Sequence, residues 1–202
     1  MYLSPPLWRD INERVNKLIG AYHINMVSLF LVRRDKLNIE EGYFYFIKNE
    51  FFEKVKDSEL MKNKKNGIKR PCYYCFKNRL DDKTIWFIPL SSKVEKYKKI
   101  YNHKIEKQKR QGKKVSIDTI VFGNVANIYS TFLIQNMFPV TEEYIENQYI
   151  KNNVKIKLSN KLKNEIIFKA MKVLNLYDHG MKNIIFPDID NILRQLKCGE
   201  QA

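Results

Sequence analysis

Beyond Gly42 the chain is punctuated by five short runs of aromatic and β-branched residues: YFYFI at 43–47, PCYYCF at 71–76, TIWFIPL at 84–90, DTIVFG at 118–123 and YSTFLIQNMFPV at 129–140. Runs of this length, parted by turn-forming residues, predict the strands of a small, strongly curved antiparallel sheet or barrel. Elsewhere the period changes. Val94, Tyr97, Tyr101 and Ile105 recur every three or four residues, which predicts a helix over 93–108 with an apolar inner stripe and its lysines outside. A second helix is predicted over 159–179, where Leu162, Ile166, Ala170 and Leu174 repeat every four residues between a capping Ser159 and a terminating Gly180. The run IIFPDIDNILRQL at 184–196 reads as a strand, a Pro-Asp break and a helix from 189. The polar stretch 56–70, with its Asn-Gly pair, reads as a loop. These elements make one α+β domain over 41–202. Residues 1–40 read as a helical leader, with Leu7, Ile11, Val15, Leu18 and Ile19 at helical spacing before the apolar run INMVSLFLV at 24–32. It is either an added helix and strand or in part the product of an upstream start codon, Met26 being the other start.

Charge adds a partner to this picture. In 202 residues, 37 Lys and Arg stand against 22 Asp and Glu, a net of +15, so a polyanion is the first ligand to consider. The excess is concentrated: 93–114 carries ten Lys and Arg against two Glu, a net of +8. A merely solvated helix face is the competing reading. An anionic membrane fits less well, because this helix has no broad apolar face to insert. The run at 24–32 is too short to span a bilayer, and the first residues lack the order of a signal peptide. Three cysteines are too few for a disulfide framework and suit a reducing cytoplasm. Cys72 and Cys75 have CxxC spacing, but on a strand positions three apart point to opposite faces, so neither a metal nor another cofactor is expected.

The chemistry to weigh lies where the strand at 84–90 meets the basic helix. Ser92 followed three residues later by Glu95 is a capping-box pattern, and a cap by itself accounts for Ser92. A helix start, however, also gathers free N–H groups and the positive end of the dipole. With Ser91, Ser92 and Lys93 at that end and Lys96 a turn along, the junction is equipped to hold a phosphodiester. Hydroxyls would hydrogen-bond the phosphate and a lysine would offset the charge growing on phosphorus. Attack by a ribose 2′-hydroxyl on its neighbouring phosphate needs such groups and no metal.

The segments IWFIPLSSKVEKYKK at 85–99 and FLIQNMFPV at 132–140 resemble the ToxN/AbiQ group of type III toxin–antitoxin endoribonucleases. There a strand ends in Pro-Leu-Thr/Ser-Ser before a lysine-bearing helix, and a later strand ends in an apolar, Asn/Lys, Met, apolar, Pro pattern. Pro89, Leu90, Ser91 and Ser92 match position by position, whereas Val94 occupies the family lysine's place, with Lys93 one residue early and Lys96 two late. The likeness covers about 42–175. It implies a Kid/MazF-like β-barrel and metal-independent RNA cleavage leaving a 2′,3′-cyclic phosphate. It also implies inhibition by a small repetitive RNA antitoxin in a higher-order toxin–RNA assembly, with cellular or phage RNA as substrate.

Further RNA contacts are expected from Lys69 and Arg70 beside the sheet and from Lys99, Lys104 and Lys107 on the helix, each with a solvated surface lysine or arginine as the plain alternative. The strand aromatics Tyr43, Tyr45, Tyr73, Tyr74 and Trp86 alternate, so about half are expected in the core and the outward half to stack on unpaired bases; Tyr45 and Tyr74 are the candidates, though the sequence does not say which half faces out. His103 lies two turns from the serines and is read as a surface histidine. Two rivals to the nuclease remain at this point: a non-catalytic RNA- or DNA-binding protein using the helix 93–114, and an interaction protein whose lysines only keep it soluble.

Overall fold

A computed structural model of the protein describes residues 38–61, 63–65, 68–77 and 83–197, and those from Glu40 onward belong to one compact unit. All but the last three residues of the expected leader, and Cys198, lie outside the described residues. The elements run β1 (Phe44–Ile47), α1 (Asn49–Val55), β2 (Lys64–Lys65), β3 (Ile68–Lys69), β4 (Cys72–Lys77), β5 (Thr84–Ser91), α2 (Val94–Arg110), β6 (Ile120–Val125), β7 (Ile128–Leu133), β8 (Phe138–Thr141), β9 (Ile145–Gln148), β10 (Ile150–Lys151), β11 (Val154–Lys155), α3 (Asn160–Asp178) and α4 (Ile189–Lys197).

The main sheet is antiparallel, in the order β6-β7-β5-β4-β1-β9, with β8 also on β5. Its central strands are buried on both faces, which is why TIWFI and CYYC read as unbroken apolar runs. Aromatic pairs knit the layers: Phe44 meets Tyr73 at 5.3 Å between ring centroids, Tyr73 meets Phe132 edge-on at 5.8 Å, and Phe51 of α1 stacks on Phe138 at 5.5 Å. Helix α3 begins where Ser159 accepts a hydrogen bond from Leu162 N, and it buries Ile166, Ala170, Val173 and Tyr177. Its Leu162 lies so close to β6 that a side chain on Gly123 would meet Leu162 Cδ2 at 2.3 Å.

The strand β5 forks. Along one edge Ile85–Pro89 pair with β4; along the other, Thr84–Phe87 pair with β8 and Leu90–Ser91 pair with β7. Leu90 faces Phe132 and Phe87 faces Phe138, so three residues of β5 are spanned by six of its partner. The surplus is taken up by a 3-10 turn at Ile134–Asn136. Pro89, which has no N–H to give, stands where the partner changes.

Several expectations are corrected. The predicted single strand 129–140 is β7 and β8 with that turn between them. The expected barrel does not close, because no pairing among the described residues joins β9 or β8 to β6; the fork opens the sheet instead. The stretch 56–70 contains the short β2–β3 ladder, and 184–186 contains no strand but follows a 3-10 turn at Lys182–Ile184. Helix α1 and strands β9 to β11 were not legible as such. Among the described residues no helix is long and apolar enough to cross a membrane.

Candidate active site

A cleft of about 520 Å³ opens at the forked end of β5. Its walls bring together Ser91, Ser92, Lys93 and Lys96 from the β5–α2 junction, Lys69 and Arg70 from the segment leading into β4, and Val125, Ile128 and Ser130 from the β6–β7 hairpin, with Met61, Tyr97 and Tyr149 between them. Among the described residues no carboxylate lines it.

The junction is built differently from a capped helix. Helix α2 starts at Val94 with Lys93 as its N-cap residue, and no side chain caps it. Ser91, only 7% exposed, uses its Oγ to accept from Lys93 N at 3.2 Å, a tight turn that stops the strand. Glu95 is taken by Lys98 at 2.8 Å. The capping-box reading of Ser92 is therefore replaced: Ser92 is exposed and its hydroxyl has no partner among the described residues. Sequence spacing allowed a box, but the helix begins one residue too late for Glu95 to reach back from its third position.

Arg70 fixes the other wall. Its backbone N–H donates to Asn63 O at 2.7 Å, and the Asn63 amide donates to Ile47 O at 2.9 Å and Asn49 Oδ1 at 2.8 Å, which ties this segment to β1 and α1. Arg70 Nη1 donates to Leu90 O at 2.6 Å, next to Ser91, while its Nε is buried without a partner. Lys69 is ion-paired with Glu146, so its charge is already answered. Arg70, Lys93 and Lys96 have no carboxylate partner among the described residues, and Lys96 Nζ rests 5.6 Å from the centre of the Tyr97 ring. Three unanswered cations and an unengaged hydroxyl converge where the N–H groups of α2 also point, which suits a phosphate.

The remaining sequence candidates lie elsewhere. Lys104 is turned inward and donates to Thr119 Oγ1 at 2.9 Å and Gln135 Oε1 at 2.8 Å; burial lowers its pKa from the usual lysine value. It lines a second cavity of about 390 Å³ with Lys107. Lys99 is exposed on α2, away from the cleft walls. Tyr45 and Tyr74 are core residues rather than stacking faces: Tyr45 is 0% exposed and its hydroxyl is bonded to the Glu40 backbone, and Tyr74 packs beside it at 6.2 Å. Cys72 and Cys75 are buried, which pushes the Cys72 thiol up to about 12, and among the described residues no cluster of three His, Cys, Asp or Glu is placed to hold a metal. Sequence reasoning missed Ser130, Ile128 and Tyr149, whose place in the cleft comes from long-range pairing. The one available signal was the alternation in NIYST.

Neither a protein-family model nor a curated relative matches the sequence. Solved structures do match. ToxN, a toxin of a bacterial type III toxin–antitoxin system selectively inhibited by a non-coding RNA pseudoknot, aligns with 81% of this chain and 100% of its own at a TM-score of 0.57 and 15% identity. AbiQ, a lactococcal anti-phage endoribonuclease belonging to the type III toxin–antitoxin system, aligns over the same shares at 0.58 and 16%. The chain has the fold of the type III toxins. At this level of identity it is the backbone architecture that is shared, and the residues of the cleft have to be argued from their own chemistry.

Proposed function

We propose that the protein is an endoribonuclease toxin that cuts single-stranded RNA at the end of β5, and that a structured RNA silences it as one silences the toxin of like fold. The observation that carries this is the cleft itself, where Ser92, Lys93, Lys96 and Arg70 converge with no carboxylate among the described lining residues, in a fold whose neighbours include an anti-phage endoribonuclease. A scissile phosphate seated there receives a hydrogen bond from Ser92 and faces the cations. The substrate's own 2′-oxygen forms its bond to phosphorus while the bond from phosphorus to the 5′-oxygen breaks. The 2′-hydroxyl proton passes to water. The leaving 5′-oxygen takes a proton from the Lys93 ammonium, which water restores. The products are a 2′,3′-cyclic phosphate and a 5′-hydroxyl end, charge on the pentacoordinate phosphorus is offset by Lys93 and Arg70, and Lys96 holds the neighbouring backbone. Ser91 serves by holding the turn that presents Ser92 and Lys93.

The test is kinetic. Lys93→Ala is expected to lower the cleavage rate roughly 10²–10³-fold with RNA binding weakened only slightly, whereas Lys96→Ala weakens binding more than rate. Cleavage persists in excess EDTA. The opposite pattern assigns the proton to Lys96; normal cutting by both variants, or arrest by chelation, removes the chemistry from this cleft. A protein that binds RNA and never cuts it is the non-catalytic alternative.

A further inference from the structure

One aromatic face beside the cleft has no part in that step. Tyr129 stands on β7 one residue before Ser130 and is 48% exposed. Its ring lies nearly parallel to that of Phe122 on β6, at 18° and 6.4 Å between centroids, and Phe122 is met edge-on by Tyr101 of α2 at 5.6 Å. Phe122 and Tyr101 supply the packing between hairpin and helix; Tyr129 is the outermost ring of the series and leaves half its surface to solvent. Lys98 Nζ sits 5.8 Å from the Tyr129 centroid, and this lysine is itself half exposed.

Position gives this ring its meaning. Ser91 faces Thr131 in the last β5–β7 pair. The ladder ends there, and Lys98, whose ammonium sits beside the Tyr129 ring, lies five residues along α2 from Lys93, about 7.5 Å at the helical rise of 1.5 Å per residue. That is about the reach of one nucleotide. We propose that Tyr129, backed by Phe122 and flanked by Lys98, is a stacking platform for an unpaired RNA base next to the phosphate held at Ser92 and Lys93. The inference rests on the nuclease reading and assigns it a substrate-positioning residue. Every base offers a π-face, so such a platform holds single-stranded RNA without reading its sequence. Duplex RNA, whose bases are already stacked, gains nothing from it. The platform therefore selects for single strands, a role the buried Tyr45 and Tyr74 cannot fill.

Two measurements test it. A single-stranded hexanucleotide pool with 2′-O-methyl riboses, which cannot be cut, is titrated into wild type, Tyr129→Ala and Tyr129→Phe. Alanine is expected to weaken binding about tenfold, within the range for loss of one stacked base, and phenylalanine to restore it. In cleavage assays the alanine defect falls on KM far more than on kcat. In Tyr129→Trp, fluorescence over the wild-type background is quenched by that pool and not by an abasic oligomer of equal length. Equal affinity of Tyr129→Ala and wild type, or equal quenching by the abasic oligomer, overturns the platform while leaving the nuclease standing. Failure of the wild type to bind or cut RNA overturns the nuclease reading and the platform with it.

Discussion

Replacing Ser92 with alanine is expected to leave the denaturant midpoint unchanged, because its hydroxyl has no partner among the described residues. Ser159→Ala is the contrast: Ser159 does accept from Leu162 N at 3.4 Å, and loss of such a cap costs about 1 kcal/mol. Urea unfolding of the two variants separates them, and a matching loss in both would return Ser92 to a capping role. The same two residues show what a sequence can tell at this scale. Both have the serine-before-helix signature, and it held where Leu162 and Ile166 fixed the helix start. It failed at Ser92 because the strand end, pinned by Arg70 at Leu90 and by the Ser91 turn, delays the helix to Val94. Ser91, Ser92, Lys93 and Lys96 were legible as a group because they are neighbours in the chain. Ser130 and Tyr149 were not, since only ladder pairing brings them there.

Along α2 the lysines divide into kinds that composition alone does not separate. Lys98 and Lys109 are held by Glu95 and Glu106 on the next turn, Lys104 is drawn under the helix, and Lys96, Lys99 and Lys107 are free of carboxylate partners among the described residues. Lys104 falls three residues after Tyr101 and four after Ile100, so its inward place was written in the apolar stripe, though its charge argued for the outside. Reversing Lys96, Lys99 and Lys107 to glutamate is expected to lower the salt dependence of RNA binding by about two units of log–log slope, at roughly 0.7 per phosphate contact on a single strand. Lys104→Met should leave that slope alone, and a change there would place its amine on the RNA. Lys104 also predicts a pH effect. Its pKa in the folded protein lies below the 10.5 it has when solvated, so between the two values the unfolded chain binds more protons. The penalty for burying the ammonium is full below the folded-state pKa and fades as pH rises to 10.5. Wild type should thus gain stability relative to Lys104→Met across that window, measured by denaturation at stepped pH; a difference flat with pH would show that the amine keeps its ordinary value.

At the scale of the whole molecule, the strands read from short aromatic runs are present, and what the sequence did not disclose is how they are joined. A closed barrel and a forked sheet have the same local alternation, and the difference lies in the three residues Ile134, Gln135 and Asn136, all buried, that shift β8 against β7. That shift has a consequence in time as well as in space. Among the described residues the β6–β7 hairpin is joined to the rest of the sheet by two pairs, at Leu90 and Ser91, while β4 and β5 share five. Backbone amides of the hairpin are expected to exchange with deuterium together and sooner than those of β4 and β5, as a unit that detaches without global unfolding. Uniform protection across both would refute this. If the cleft cuts RNA as proposed, opening of the hairpin that carries Ser130 and Tyr129 would accompany departure of the cut strand, and the slowest step of a turnover would then be set by two residue pairs rather than by the breaking of the phosphodiester.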